Sequence, residues 1–498
     1  MKPFLLIVIT AALLMLLVSS VNRPHSPIAY QFNYENVLGT SFELKVVANS
    51  EQAAIAAEEA ALTEIDRLSH ILSTYDPSSE VSRWQKTLNT NVPVSSELFE
   101  VLTLFDGWKV KTGGALNASA GIAVATWKKA SVDQVYPSAS ALAGAVASMN
   151  RRHWILSDVE QTARHLTTEP LLFNSFVKSY ILQKVSKQIM LLPGVTGSVV
   201  NMGGDIVVAG DREERIRVAN PTADAENDAP LDILNLKGKA IATSGNYRRG
   251  FQLGEQWFSH ILDVRTAIPV TGVISATVVA ESATDAGALA TALNILLPDE
   301  SAALVSQLPG VEYMIITKDG QRIESSGWNL LQAKSSAYTV NNEKAKITNG
   351  KYELTIQLEL ARFEGRFRRP FVAIWVEDKK KEPVRNLALW YNKSRWLPDL
   401  KRWYSKYQSV NQSGAIESIS SATRSPGRYT LTWDGLDDRG NLVPSGKYTV
   451  YIEAAREHGT YQLIKQEIDW NSKAKQLDVP GGVEITAVSL DIHPVKDK

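Results

Sequence analysis

The sequence predicts a mixed α/β (α+β) domain followed by an all-β sandwich, and three observations lead there. The chain has 498 residues, beyond the size at which one hydrophobic core keeps growing, so two or three domains are expected. Between Ala29 and Trp328, alternating β-type runs are interrupted by long segments whose apolar positions follow helical spacing. Beyond Trp328 only short β-type runs separated by turn residues follow.

Composition narrows the function classes. With 44% hydrophobic and 21% charged residues the chain is ordinary globular material. Its 53 basic and 53 acidic residues cancel, leaving no broad field to draw nucleic acid or an acidic membrane, so nucleic acid is not an expected partner. The absence of cysteine excludes disulfides, thiolate metal sites and a lipid-modified Cys. Residues 1–22 place Lys2 before an apolar run from Phe4 to Val18 and then Ser19 and Ser20, the layout of a secretory signal. That run is short for a span of about 20 residues. The segment is therefore read as a signal peptide or, alternatively, as an uncleaved anchor on the inner membrane, and a bacterial periplasm is the expected compartment.

In chain order, Ala29 to Val47 alternates around Gly39 as a strand pair does. Glu51 to Leu72 carries Ala54, Ala57, Ala61, Ile65, Leu68 and Leu72 at helical spacing, a long amphipathic helix. In Ser73 to Trp84 the Asp76-Pro77-Ser78 turn breaks that helix and presents Tyr75, either as a cap on the core or as a ligand-facing ring. A helix from Phe99 to Lys111 ends at Thr112-Gly113-Gly114. Arg152 to Leu166 reads as a hairpin, Phe173 to Met190 as a helix, and Val199 to Gly210 as a strand, a Gly-Gly turn and a strand. Polar chemistry concentrates between Ile241 and Leu297. There a tight Ser244-Gly245-Asn246 turn is followed by His260 three residues before Asp263, by Arg265 and Thr266, and by an Ala-rich segment that reaches Thr291.

Leu331 to Gly350 is polar and rich in Ser and Asn, as linkers are. The hairpin pattern from Thr430 to Ala454 signals a sandwich. The expected division is 28–332 for the first domain, 333–349 for the linker, 350–480 for the sandwich and 481–498 for a tail. Trp390, Trp396, Trp403 and Tyr404, interleaved with Lys393, Arg395, Lys401 and Arg402, either cover the sandwich core under snorkelling basic stems or stack on a planar ligand.

Several of these motifs, taken in order, resemble the signature of the ApbE family of FAD:protein FMN transferases. They are ATSGNYR (Ala242 to Arg248), SHILDVRTAIPV (Ser259 to Val270), TVVAESA (Thr277 to Ala283) and ALATAL (Ala288 to Leu293). STYDPSSEVSR, TGGALNASAG and the NMGGD loop at Asn201 to Asp205 add to the likeness. The C-terminal hairpin is similar to the Ig-like segment of flagellar hook-capping proteins and to an unassigned periplasmic domain family.

The resemblance implies an enzyme that moves FMN from FAD to a threonine of an exported protein, releasing AMP with the help of Mg2+. It implies flavin contacts at Tyr75, Gly113, Gly114, Asn117, Lys178, Asn201, Gly203, Gly204, Asp205, Ser244, Gly245 and Tyr247. Phosphoryl transfer needs a neutralised diphosphate and an aligned, deprotonated hydroxyl. His260 is then the general base or the group that orients the acceptor, since imidazole titrates near neutral pH. Asp263 either orients His260 or binds magnesium, and Arg265 either contacts phosphate or pairs with Asp263. By the same resemblance Glu417 to Thr423, ESISSAT, is similar to the acceptor sequence, so Thr423 is a candidate to receive FMN.

The chain also departs from the pattern. Where the family has a DLGGIAKGY-type turn, Leu172 to Tyr180 reads LFNSFVKSY, keeping Lys178 and Tyr180 but no glycine. Where it has DALAT, Gly287 to Thr291 keeps Thr291 and loses the carboxylate. Asp285 is left as the substitute metal ligand, two residues earlier and about 200° around a helix. Asn117 stands where an Asp is usual. These departures support an alternative: a catalytically impaired periplasmic flavin-binding or scaffold protein of a redox or iron-related assembly.

Overall fold

The computed structural model describes residues 27–221, 230–246, 250–333, 352–391, 394–407, 420–421, 423–457, 459–471 and 473–494. The leader, Tyr247, the polar stretch 334–350 and residues 417–419 and 422 of the acceptor-like segment lie outside the described residues, as does the side chain of Trp396.

The first part is built on one antiparallel sheet whose strands lie side by side in chain order. They are β1 (Ile28–Val37), β2 (Thr40–Ala48), β3 (Val195–Met202), β4 (Asp205–Gly210), β5 (Ala240–Gly245), β6 (Val273–Ala280), β7 (Glu312–Thr317) and β8 (Arg322–Glu324). Helices α1 (Glu51–Leu72), α2 (Ser96–Lys111), α3 (Gly121–Asp133), α4 (Val177–Met190) and α5 (Ala283–Ile295) are inserted between them. The periodicity seen in α1 is the buried stripe itself: Ala54, Ala57, Ala61, Ile65, Leu68 and Leu72 all face the core. The Ser50 hydroxyl caps that helix by accepting from the Ala53 amide at 3.2 Å. Beneath α1, α4 and α5 lie Phe42, Leu44, Val46, Val200 and Met202 of the sheet. The other face is covered by a hairpin, Glu214–Val218 with Asp232–Leu236, and by Trp328, whose indole N–H donates to Asp232 at 2.9 Å.

A satellite cluster forms around Trp127 of α3. It gathers Met149, Leu253, Leu262, Val264 and Ala267, so the small hairpins Gly250–Leu253/Gln256–Ser259 and Leu262–Asp263/Ile268–Pro269 pack on α3 rather than on the main sheet.

Beyond residue 351 come β9 (Tyr352–Leu360), β10 (Phe367–Arg368), β11 (Phe371–Asp378), β12 (Pro383–Trp390), β13 (Ser420–Ser421), β14 (Gly427–Trp433), β15 (Gly446–Ala455), β16 (Tyr461–Trp470), β17 (Lys475–Pro480) and β18 (Ile485–Pro494). Two sheets, β14-β9-β18-β17 and β13-β12-β11-β15-β16, enclose an aliphatic and tryptophan core. Trp390 is buried in that core, whereas Trp403 is buried in a second cluster with Phe371 and Trp375, its indole donating to Asn386 at 3.0 Å.

Three expectations are corrected. Residues 485–494 are no tail: their alternation buries Ile485, Val488, Leu490 and Ile492, and they form a strand between β9 and β17. The fourth helix begins at Val177, because Phe173 and Phe176 turn inward onto Phe105 with ring centroids 5.0 and 4.4 Å away. Ser244 and Gly245 end strand β5, paired with Ala276 and Ser275, instead of turning. Separately, His260 sits at a bend between two short hairpin strands.

The two parts are joined by more than the covalent chain. Strand β10 pairs antiparallel with β1, Tyr34 opposite Arg368, and becomes the ninth strand of the first sheet. The next residue, Arg369, has a side chain only 2% exposed and donates to Glu35 and Glu43 of that sheet. It also donates to the Thr423 carbonyl at 2.8 Å. Burial disfavours the charged guanidinium, but Glu43 and Glu35 outweigh that and its pKa is raised. Arg369→Met strands two carboxylates at the junction and is expected to cost about 3–5 kcal/mol. Arg366→Met, which removes only the half-exposed pair with Asp66, is expected to cost less than about 1 kcal/mol. Urea unfolding of the full chain measures both.

Candidate functional site

Four segments far apart in sequence line one cavity of about 130 Å³: Asn174 to Lys178, Met202 to Asp205, Ala242 to Ser244, and Gly287 to Thr291. The sheet supplies its floor through the β3–β4 turn and the end of β5, and α4 and α5 supply its walls. At the β3–β4 turn Gly203 has φ +63° and Gly204 φ +103°, values that side chains resist. A Cβ at Gly203 would also lie 2.6 Å from the Thr40 hydroxyl. Asn201 fixes this turn by accepting from the Gly204 amide at 3.1 Å while donating to Glu43 at 2.8 Å.

The start of α4 borders this space through Lys178, with Asn174 and Ser175 just before the helix. Phe176 occupies the N-cap position and offers no side-chain acceptor, so the helix start keeps the partial positive charge that attracts anions. Lys178 adds an ammonium on the same turn. Asp205 is the one carboxylate among the described lining residues. Desolvation raises its pKa, against the opposing effects of the Ser179 hydroxyl, which donates to it at 2.6 Å, and of the Lys178 charge. Thr291 is tied down by donating to the Ser175 carbonyl at 2.9 Å, and the Ser244 carbonyl accepts from Asn294 at 3.0 Å.

Tyr75 stands at the rim. Its side chain is exposed, at 75%, so it is no core cap, and its hydroxyl accepts from Asn174 at 2.6 Å. Tyr75, Lys178, Gly203, Asp205, Ser244 and Thr291 are thus brought together, and Asn201 and Gly204 support them from the turn. Thr243, which lies 3.0 Å hydroxyl to hydroxyl from Thr277, also lines the cavity. Sequence reasoning missed it; its position beside Ser244 in the ATSG stretch was the only signal.

Other candidates lie elsewhere. Gly113 and Gly114 close the end of α2, their amides donating to Val110 and Lys109 at 3.2 and 2.8 Å. Asn117 caps the following turn, accepting from the Ser119 amide at 3.0 Å. It lines a second cavity of about 160 Å³ with Lys109, Arg152 and His153. That space is the larger, but none of the four converging segments reaches it. Asp285 does not line the smaller cavity: its amide meets the Ser282 cap at the start of α5. Gly245 continues the strand beside Ser275.

His260, Asp263 and Arg265 belong to the loop packed on the satellite cluster, and His260 is not among the residues lining the cavity. Of the two roles open to Arg265, the geometry shows the pairing. Its guanidinium spans Asp263 at 2.8 Å and Glu300 at 2.8 Å, and both raise its pKa. Trp127 anchors the same loop by donating to the Ala267 carbonyl at 2.8 Å. Thr423 is 1% exposed, and its hydroxyl has no hydrogen-bond partner among the described residues.

Known proteins are similar in sequence and fold. A family model described as "ApbE family" matches residues 38–315 and one described as "Predicted periplasmic protein (DUF2271)" matches 351–487. A FAD:protein FMN transferase of Klebsiella pneumoniae is 29% identical over 297 residues, covering 57% of this chain and 83% of that protein. One from Escherichia coli is 25% identical over 318 residues, covering 61% and 88%. The crystal structure of the ApbE protein from Thermotoga maritima superimposes with a TM-score of 0.55 at 25% identity, covering 62% of this chain and all of that one. The first family model spans more than half of the chain and takes in every segment that lines the cavity, so the chain belongs to the ApbE family.

Proposed function

We propose that the chain is a FAD:protein FMN transferase that moves FMN onto a threonine of another exported protein and releases AMP. The observation that carries this reading is the convergence of four motif-bearing segments on one cavity, at a helix start that lacks a side-chain cap and carries Lys178. Relatives bearing that name at 29% and 25% identity support it.

In the proposed reaction the acceptor hydroxyl oxygen bonds to the FMN phosphorus of FAD, and the anhydride P–O bond breaks. AMP leaves with the bridging oxygen, and the hydroxyl proton passes to a base. Lys178 and the α4 amides neutralise the diphosphate, and Gly203 and Gly204 let the backbone approach it. The cavity is smaller than the roughly 300 Å³ at which pockets enclose a whole small ligand. The rings of the dinucleotide would therefore lie on the rim, one of them against Tyr75. His260 is assigned as the base, on a loop held by the Asp263–Arg265–Glu300 ties.

Burial of the Thr423 hydroxyl favours an acceptor on another protein over the chain's own threonine. We place the protein in the periplasm, which the layout of residues 1–22 and the description of the second family model support. Among the described residues no helix is long and apolar enough to cross a membrane, so tethering would fall to the leader. The alternative, flavin binding without turnover, is favoured by one observation, the missing carboxylate at Gly287.

The test is AMP release from FAD in the presence of an acceptor peptide or protein; binding of FAD with no AMP formed supports the alternative. His260→Ala is expected to lower the transfer rate about a hundredfold or more with FAD affinity kept, whereas Lys178→Met is expected to weaken FAD binding about tenfold. After incubation with FAD alone, intact-mass spectrometry is expected to show the chain unmodified. An FMN adduct mapped to Thr423 would instead make the chain its own substrate.

A further inference from the structure

The family resemblance expects a divalent cation held by a carboxylate at position 287 and by Thr291. The residues present do not fit one. A Cβ at Gly287 would fall inside the van der Waals envelope of the Ser179 hydroxyl and 2.8 Å from the Ser179 Cβ. Ser179 stands where the resemblance expects a glycine, so the side chain gained on α4 fills the space given up on α5. Its hydroxyl is then directed to Asp205. That carboxylate already accepts this bond, and desolvation favours its neutral form, which makes it a poor partner for a hard cation that demands charged oxygens in near-octahedral array. Thr291 is engaged with the Ser175 carbonyl, and Asp285 lines no part of the cavity. Among the described residues no group of three or more His, Cys, Asp or Glu could hold a metal ion.

What the cavity does contain is fixed positive charge: the Lys178 ammonium and the start of the 14-residue helix α4. We infer that Ser179 and Gly287 are a compensating pair that closes the divalent-cation site, and that the diphosphate of a dinucleotide is held here by Lys178 and the α4 amides without a metal. This rests on the flavin-site reading of the cavity, but concerns binding and not turnover.

The experiment measures FAD affinity of the full chain by flavin fluorescence in excess EDTA and in magnesium chloride. The affinities are expected to agree within about threefold, a difference below 0.7 kcal/mol. A larger loss in EDTA, or no FAD binding in EDTA at all, overturns the inference. The double variant Ser179→Gly/Gly287→Asp reopens the space and supplies the carboxylate. Magnesium alone is expected to raise its melting temperature while leaving that of the unaltered chain in place, because a ligand of the folded state stabilises it. Gly287→Asp without the second change is expected to be destabilised and unresponsive to magnesium. The wild-type comparison decides the matter even where a variant fails to fold. Binding in EDTA with no AMP release defeats the transferase reading and leaves this one standing; AMP release that needs magnesium for FAD binding does the reverse.

Discussion

The buried guanidinium of Arg369 is the constraint on which the junction and, through it, the cavity turn depend. It faces Glu35 and Glu43 at once, and Glu43 passes the restraint on by accepting from Asn201, which in turn holds the Gly204 amide. A charge so far from water is tolerated only when every partner is in place. The β-sandwich therefore does not hang from the first domain as a separate bead. It pairs part of the open edge of strand β1, at Tyr34 and Glu35, with β10, which covers some of its unpaired backbone groups, and then sends Arg369 to the strand whose neighbour carries the Gly-Gly turn. A polar chain thus runs from the Thr423 carbonyl to the cavity turn, and at its buried end, Arg369 and Glu35, the loss of a bond leaves a buried group unmatched.

The cavity itself follows from how the sheet and helices end. Strand β5 stops at Gly245 and β3 turns at Gly203, so backbone comes to the surface of the sheet at neighbouring places where α4 starts and α5 passes over. A helix start with no side-chain cap is a cost in an ordinary protein. Here Lys178 stands on the same turn, so the positive end of the helix and an ammonium reinforce each other, with Asp205 the one carboxylate among the described lining residues. The arrangement favours an anion with several acceptor oxygens. It suits neither an apolar ligand nor a bare cation.

Much of this was legible in the sequence because it depends on short-range pattern. The stripe of α1, the strand pair around Gly39 and the hairpin of Val199 to Gly210 are periodicities, and the chain folds as they dictate. Where local cues compete, sequence reading failed for definite reasons. Ser-Gly-Asn is turn-like composition, yet Ser244 and Gly245 complete a ladder with β6 because that ladder satisfies their backbone. The helix stop read at Gly113 and Gly114 does hold, both glycines taking positive φ where α2 ends. The last strand was taken for a tail although Val488, Leu490 and Ile492 alternate through it, since polar neighbours dilute the signal. Least legible was the exchange between Ser179 and Gly287. Either change alone reads as the loss of a functional residue; only the packing of α4 against α5 shows that one occupies the room of the other.

The same packing bears on how an acceptor protein would reach the flavin. The anion-holding side belongs to the main core under α1, α4 and α5, whereas the His260 loop belongs to the cluster around Trp127. No buried residue is common to the two clusters. The loop is held by its own small cluster, Leu262, Val264 and Ala267 against Trp127, and by polar ties, Arg265 to Asp263 and Glu300 and the Trp127 bond to Ala267. Such ties at partly exposed positions are weaker than core packing. In the proposed reaction a protein-borne threonine, far bulkier than the cavity, would arrive from the rim, and the smaller cluster, which carries the imidazole loop, has less packing to lose on yielding. In that reaction, a base on the more yielding half and a diphosphate held by the other would reconcile a small anion site with a macromolecular second substrate.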